Sequence, residues 1–304
     1  MSSHWQTFYE TQAKPDNYDE QMKLVRSFVQ SHLDQKVALI SSGGTTVPME
    51  HNTVRFVDNF SAGTRGSVST EYFLENGYAV VFLYRWKSLE PYSRHLQGSQ
   101  ILDSLDVIQG DVIVKEESKS KLLQIITKYQ KVENENRLLR VPFTSLFDYL
   151  WFLRGICTEL AAFGPKCLLY LAAAVSDFYI PSEQMVEHKI QSGGGPLSIT
   201  LQLVPKMLVP VTTSWVPHAY VISFKLETDE NLLVQKARKA LDTYKHKLVI
   251  GNMLQTRKSR VVLVTQTEEK EIILSSEELK KGGEIEQRIV EDVIRRHEQY
   301  LADR

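Results

Sequence analysis

The sequence predicts an α/β protein: a mostly parallel sheet flanked by helices, with hairpins inserted between its strands. Three observations predict it. Residues 37–40, 78–84 and 166–175 are short apolar runs, the kind that parallel strands buried on both faces require. A helical pattern over 62–75 separates the first two runs, giving the β-turn-helix-β order of a layered fold. Two turns of small residues close strand-like runs: Ser41-Ser42-Gly43-Gly44-Thr45-Thr46, and Asp58-Asn59-Phe60-Ser61-Ala62-Gly63, which opens the helix.

In chain order, residues 1–20 read as an arm, and 22–33 have helical spacing through Met22, Val25, Phe28, Val29 and Leu33. The first core strand is 37–41, a β-like run follows at 54–57, and 78–84 is the next buried strand. From 85 to 136 the chain turns polar and reads as an insertion, with a charged helix at 115–131 and an exposed loop at 133–137. A long amphipathic helix at 145–163 ends at Gly164-Pro165, and the strand 166–175 closes on Ser176-Asp177-Phe178. Alternation on both sides of Gly193-Gly194-Gly195-Pro196 predicts a hairpin over 190–203. Short core strands at 220–224 and 248–250 flank a helix at 231–241. An edge hairpin, 261–265 with 271–274, precedes a closing helix at 284–300. One α/β domain over the 304 residues accounts for this order.

Bulk properties narrow the function. Lys and Arg total 36 against 37 Asp and Glu, so no global field favours nucleic acid or an acidic membrane. No stretch reaches the roughly 18 apolar residues of a membrane span. Residues 1–20 carry no basic, apolar signal region. Cys157 and Cys167 both lie in apolar settings, which argues for free thiols in a reducing compartment. The expectation is a cytoplasmic protein.

Ligands of open α/β sheets bind beyond the carboxyl ends of the strands. Four such ends carry useful groups: Gly43-Gly44-Thr45, Ala173 to Asp177, Phe224 to Thr228, and Gly251-Asn252. The two glycine turns let backbone N–H groups approach an anion at a helix N-terminus. Ser61 is the better N-cap, leaving Asn59 free to donate to an oxyanion. Asp177 is either a turn residue or a contact to a Mg²⁺–phosphate complex, since Mg²⁺ takes few carboxylates plus substrate phosphates. Lys189, before the glycine turn, and Lys206, after Pro205, are either solvated lysines or phosphate cations; Phe224 reads first as core. There is no GxxxxGK[ST], HExxH, CxxC or GxSxG, and no GxGxxG after the first strand. What remains aligns and neutralises anions without an obvious protein nucleophile.

Six segments, in order, carry a resemblance: SSGGTTVPMEHNTVRFVDNFSAGTRG (41–66), YLAAAVSDFYIP (170–181), EHKIQS (187–192), LVPKML (203–208), VISFKLETD (221–229) and KARKAL…LVIGNML (236–254). They span most of residues 36–265, and the sequence resembles the phosphopantothenate–cysteine ligases of the eukaryotic type. The resemblance implies a Rossmann-like fold and a homodimer. It also implies condensation of 4′-phosphopantothenate with L-cysteine through an acyl-nucleotidylate, in coenzyme A synthesis, with a nucleoside triphosphate and Mg²⁺.

By motif, Asn59 handles that intermediate, with Lys189 as its catalytic companion. Gly43, Ala173, Ala174, Asp177, Lys189, Pro205, Lys206 and Phe224 line the nucleotide pocket. Gly44, Ser61, Ala62, Gly63 and Gly66 lie in the substrate turns, and Arg55 reaches the partner subunit's site. Bacterial members, which use CTP, read KIKK where this chain has Lys189-Ile190-Gln191-Ser192. Two further bacterial lysines align with Ala240 and Tyr244, beside Lys239 and Lys245. These departures fit ATP use. The competing readings are a nicotinamide-dependent reductase on the same kind of sheet, and a nucleotide-binding sensor without turnover.

Overall fold

A computed structural model describes residues 4–304. Its frame is an eight-stranded sheet. In chain order the strands are β1 (Val37–Ser42), β2 (Ala79–Arg85), β3 (Leu138–Phe143), β4 (Cys167–Leu171), β5 (Tyr220–Glu227), β6 (Leu248–Met253), β7 (Arg260–Val264) and β8 (Glu269–Ile273). Across the sheet they lie 3-2-1-4-5-6-7-8. The first six pair in parallel and the last two add antiparallel. This is the doubly wound order, whose direction of winding reverses between β1 and β4.

Alternation along the strands sorts two cores. Val37, Leu39, Val81, Leu83 and Leu169 pack with helices α1 (His4–Thr11), α2 (Tyr18–Ser31) and α5 (Leu146–Leu160). Ala38, Ile40, Val80, Phe82 and Leu168 pack with α3 (Thr64–Glu75), α4 (Glu116–Asn134) and α7 (Ile285–Ala302). Helix α6 (Glu230–Tyr244) closes the far end, with Ala237 and Leu241 against Val249 and Val264. Local sequence sets the helix starts. Ser145 and Asp148 form a reciprocal capping box on α5, and Asp229 accepts from the Asn231 amide on α6.

Several expectations need correction. The arm at 1–20 is, from His4 onward, α1 plus the start of α2; Phe8 and Tyr9 are buried, and the Tyr9 hydroxyl donates to the Leu150 carbonyl at 2.8 Å. Residues 1–3 lie outside the described region. Strand β3 has no counterpart in the sequence reading. Residues 85–136 are not simply an insertion, because α4 is the crossover that carries the chain from β2 to β3. The predicted hairpin over 190–203 does not form: Ser192–Gly194 is a single helical turn, and Gln202–Leu203 pairs instead with Phe178–Tyr179. The run at 54–57 pairs as Phe56–Asp58 against Thr46–Pro48. Among the described residues no helix is long and apolar enough to cross a membrane.

Candidate active site

The crevice at the β1–β4 switch point is laced together by short backbone contacts. The Ala174 amide donates to the Gly43 carbonyl at 2.8 Å, and the Thr45 amide donates to the Ala174 carbonyl at 3.0 Å. The Ser41 hydroxyl accepts from the Ala173 amide, and the Thr45 hydroxyl accepts from the Ser176 amide. The two strand-end turns are therefore one structure. Gly43, at φ +84°, occupies the left-handed region where a side chain is strained.

The small hairpin 46–58 folds back across this structure. The Asn59 amide donates to the Thr45 carbonyl at 3.1 Å, which seats Asn59 directly over Gly44. A Cβ at Gly44 would lie 1.7 Å from the Asn59 carbonyl oxygen, so only glycine permits this approach. Beyond Asn59 the chain reaches α3. Gly63, at φ +82°, is its N-cap, and the Ser42 hydroxyl donates to the Gly63 carbonyl at 3.0 Å. Gly66 packs on Ser42, where a Cβ would sit 2.4 Å from the serine Cβ.

Ser61 is not the N-cap, as the sequence reading had it; its hydroxyl accepts from the Gly63 amide at 3.3 Å, inside the turn. Among the described residues no side chain caps α3, and no acidic residue lies in its first turn. The first N–H groups of the helix therefore have no side-chain cap among the described residues, the arrangement that suits an anion at a helix N-terminus.

The structure thus gathers Gly43, Gly44, Asn59, Ser61, Gly63, Gly66, Ala173 and Ala174 at one place; Asn59, Ala173 and Ala174 are half-buried. Ala62 is exposed, and its carbonyl holds the Leu89 amide at 2.9 Å. Asp177 continues from Ser176 and is exposed, in an ion pair with Lys206 at 3.2 Å. The Val204 amide donates to the Asp177 carbonyl, which draws Pro205 and Lys206 to the same end of the sheet. Phe224 is half-buried within β5, which runs on to Glu227 and does not end at 224 as expected; its ring is edge-on to Tyr170 with centroids 4.9 Å apart.

Lys189 and Arg55 form a separate group. The Arg55 guanidinium donates to Glu50 at 2.9 Å and to the Ile190 carbonyl at 3.2 Å, one residue from the exposed Lys189.

Three contributors escaped the sequence reading. Arg85, at the end of β2, donates to both the Gly44 carbonyl at 2.9 Å and Asp58 at 2.8 Å, bracing the glycine turn. Its only signal was its place after an apolar run. Asn252, named only as a strand end, is buried; its Nδ2 donates to the Lys225 carbonyl at 3.3 Å while its Oδ1 has no partner among the described residues. A buried orphan acceptor on β6, opposite Leu226 of β5, invites an N–H or O–H donor. The third, Glu50, is buried beneath the Arg55 turn.

Burial alone would raise the Glu50 carboxyl. The backbone amides of Arg55, Val54 and Ile190, with the Arg55 guanidinium, outweigh it and hold the carboxyl below its ordinary range. For a metal, the described residues hold no group of three or more His, Cys, Asp or Glu placed to bind an ion. Asp177 would supply a single carboxylate to a Mg²⁺ ion carried on phosphate groups, since Mg²⁺ takes few protein carboxylates.

Fold and crevice together define a doubly wound α/β protein with a candidate anion site at its switch point. Residues 160–295 match the family described as the DNA/pantothenate metabolism flavoprotein C-terminal domain. The chain is 44% identical to the phosphopantothenate–cysteine ligase of Homo sapiens, over 89% of each protein. It is 43% identical to the phosphopantothenate–cysteine ligase CAB2 of Saccharomyces cerevisiae, over 97% of this chain and 86% of that one. A solved structure of a Cab2 variant in complex with phosphopantothenate-cysteine superposes with a TM-score of 0.90 at 43% identity, covering 98% of this chain and 99% of that one. The chain belongs to the phosphopantothenate–cysteine ligase family.

Proposed function

We propose that this chain joins 4′-phosphopantothenate to L-cysteine, with ATP as co-substrate, in coenzyme A synthesis. The observation that carries the reading is the switch-point crevice itself. Gly44, Asn59, the open N-terminus of α3 and Ala173-Ala174 converge there without a side-chain nucleophile among them. A ligase whose substrate carboxylate is its own nucleophile needs such a mould.

In the first step a carboxylate oxygen of phosphopantothenate attacks the α-phosphorus of the nucleotide. The bond to the bridging oxygen breaks and pyrophosphate departs. In the second step the cysteine amine attacks the acyl carbon, the acyl–oxygen bond breaks, and the nucleoside monophosphate leaves as the amine loses a proton. Asn59 donates to the anionic intermediate, and the α3 amides hold a phosphate group. Lys189 and Lys206 neutralise nucleotide charge. The gain comes from alignment and preorganised dipoles. Mg²⁺, when bound, supplies charge neutralisation on the phosphates beside Asp177.

Phe224 and the orphan acceptor of Asn252 suit the base or sugar end of the nucleotide. Ala240 and Tyr244, where lysines would favour the bacterial CTP contacts, support ATP. A homodimer is part of the reading: Val54, Phe56, Val57 and Phe60 are exposed apolar residues around Arg55, with Phe60 84% exposed.

The test is pyrophosphate release with phosphopantothenate and Mg²⁺, run in parallel with ATP and CTP at equal low concentration, with and without cysteine. The expected result is AMP and pyrophosphate with ATP favoured. Nucleotide binding without pyrophosphate, or reduction of a nicotinamide cofactor, overturns the proposal.

A further inference from the structure

Glu50 is a carboxylate the reaction does not use, buried without solvent access. One oxygen accepts from the Val54 amide at 3.2 Å and the Arg55 amide at 3.0 Å. The other accepts from the Arg55 guanidinium at 2.9 Å and the Ile190 amide at 3.3 Å. Its roughly four acceptor sites are filled, all by this chain. Two distant segments meet on it: the turn 49–55, which carries Arg55, and the segment 186–190, which carries Lys189.

The surrounding backbone follows the same seam. Glu50 bridges Val186, the His51 amide donates to the Val186 carbonyl at 2.9 Å, and the Asn52 amide donates to the Glu187 carbonyl at 3.0 Å. Lys189 itself is exposed and forms no ion pair among the described residues. Its ammonium is free while its backbone is tied.

We infer that Glu50 is a positioning residue: it clamps the Lys189 segment to the Arg55 turn, so that the backbone carrying Lys189 is held in one place for the nucleotide. The inference rests on the reading above that Lys189 serves the nucleotide. Glu50 acts only through its neighbours, and substrate never touches it. A glutamine at 50 is nearly isosteric, but in either orientation its amide nitrogen faces two N–H donors. The clamp then loses half its acceptors and its charge.

Two measurements test this on the full chain. The first is amide hydrogen exchange on ligand-free wild type, Glu50→Gln and Glu50→Asp. Exchange should quicken over 50–55 and 186–191 by about tenfold or more, and not over β1 or β4. The second is the nucleotide dependence of pyrophosphate release. Glu50→Gln should raise the apparent nucleotide KM by about tenfold with kcat changed far less, as loss of a charge-assisted contact would.

Lys189→Gln on the Glu50→Gln background should then add little, because the two changes remove one coupled contribution. Glu50→Asp keeps the charge with a shorter reach and should give an intermediate KM if Glu50→Gln does not fold. Unchanged exchange over 186–191 overturns the clamp. Quickened exchange with an unaltered KM, or fully additive effects with Lys189→Gln, overturns the positioning role. If Lys189→Gln alone leaves the nucleotide dependence unchanged, the assignment of Lys189 fails, while the exchange arm still decides the clamp.

Discussion

Replacing Gly44 by alanine tests the site at its tightest point. The new Cβ would lie 1.7 Å from the Asn59 carbonyl oxygen, 2.8 Å from its carbonyl carbon and 3.2 Å from the Ser61 amide nitrogen. Close carbon–oxygen contacts settle near about 3.3 Å, so the turn bearing Asn59 must retreat by roughly 1.6 Å. All three atoms are backbone, so no rotamer change relieves the contact. The turn is also tied at Thr45 by the Asn59 amide, and that bond must stretch or break. Overpacking of this kind costs about 1–3 kcal/mol of stability. Activity should fall further, because a misplacement of about 1 Å near reacting groups can cost roughly 100-fold.

The assay is kcat/KM from pyrophosphate release, paired with denaturant unfolding of the same preparation. Gly193→Ala is the control, since its Cβ would meet nothing within 4 Å and its backbone is not left-handed. The expected pattern is a roughly 100-fold loss of kcat/KM in Gly44→Ala with the protein still folded at assay temperature. Near wild-type activity in folded Gly44→Ala would refute the placement of Asn59 in the reaction. A loss equal to that of Gly193→Ala would refute the steric argument.

Three further outcomes follow from the same structure. Lys189→Gln should raise the apparent nucleotide KM by roughly 10-fold to 100-fold, the equivalent of about 1.5–3 kcal/mol for a charge-assisted contact; initial rates against ATP concentration check it. Asn59→Asp should slow the aminolysis half-reaction, because a negative charge then faces the anionic intermediate. Single-turnover analysis with labelled ATP would show nucleotidylate accumulating ahead of product. Finally, burial lowers the His246 pKa from 6.5 to about 4. The unfolded chain binds that proton first, so the stability tied to neutral His246 is complete above about pH 6.5 and drains away as pH falls toward 4. Between about pH 7.5 and about pH 5 the loss is about 2 kcal/mol, read from urea midpoints, and His246→Gln should flatten that slope. The carboxyl of Glu71, held at about 2 by His95 and Arg94 against its own burial, contributes only in a lower window.

Much of the frame was legible because parallel strands buried on both faces have no polar face to dilute their apolar runs. β1, β2 and β4 announce themselves in this way, within two residues at their N-terminal ends. β3 does not. Its sequence, LLRVPF, places Arg140 and Pro142 inside the strand, and proline there argues against a strand. Among the described residues β3 lies at the sheet edge, paired only with β2, where a missing N–H is tolerated. The predicted hairpin at 190–203 failed for a related reason. Alternation reports that a segment can pair, not with what. Leu203 pairs with Phe178, which lies before the glycine turn and outside the predicted unit.

The site divides along the same line. Groups proposed above to face a ligand were legible because they break a local rule: glycines where a strand should continue, an asparagine in the turn that opens a helix, a carboxylate after a run of alanines. Groups that hold those others in place break no rule that a short window reveals. Glu50 reads as one acid in a polar turn, and its partner at Ile190 is 140 residues away. Arg85 reads as the first charge after a strand, yet it braces a carbonyl 41 residues earlier. A ligand-facing group is marked by local chemistry, whereas a supporting group is marked only by the distant atom it meets. The buried, fully hydrogen-bonded charges of this fold are therefore where the sequence reading was silent, and where substitutions should reveal residues that contact no substrate.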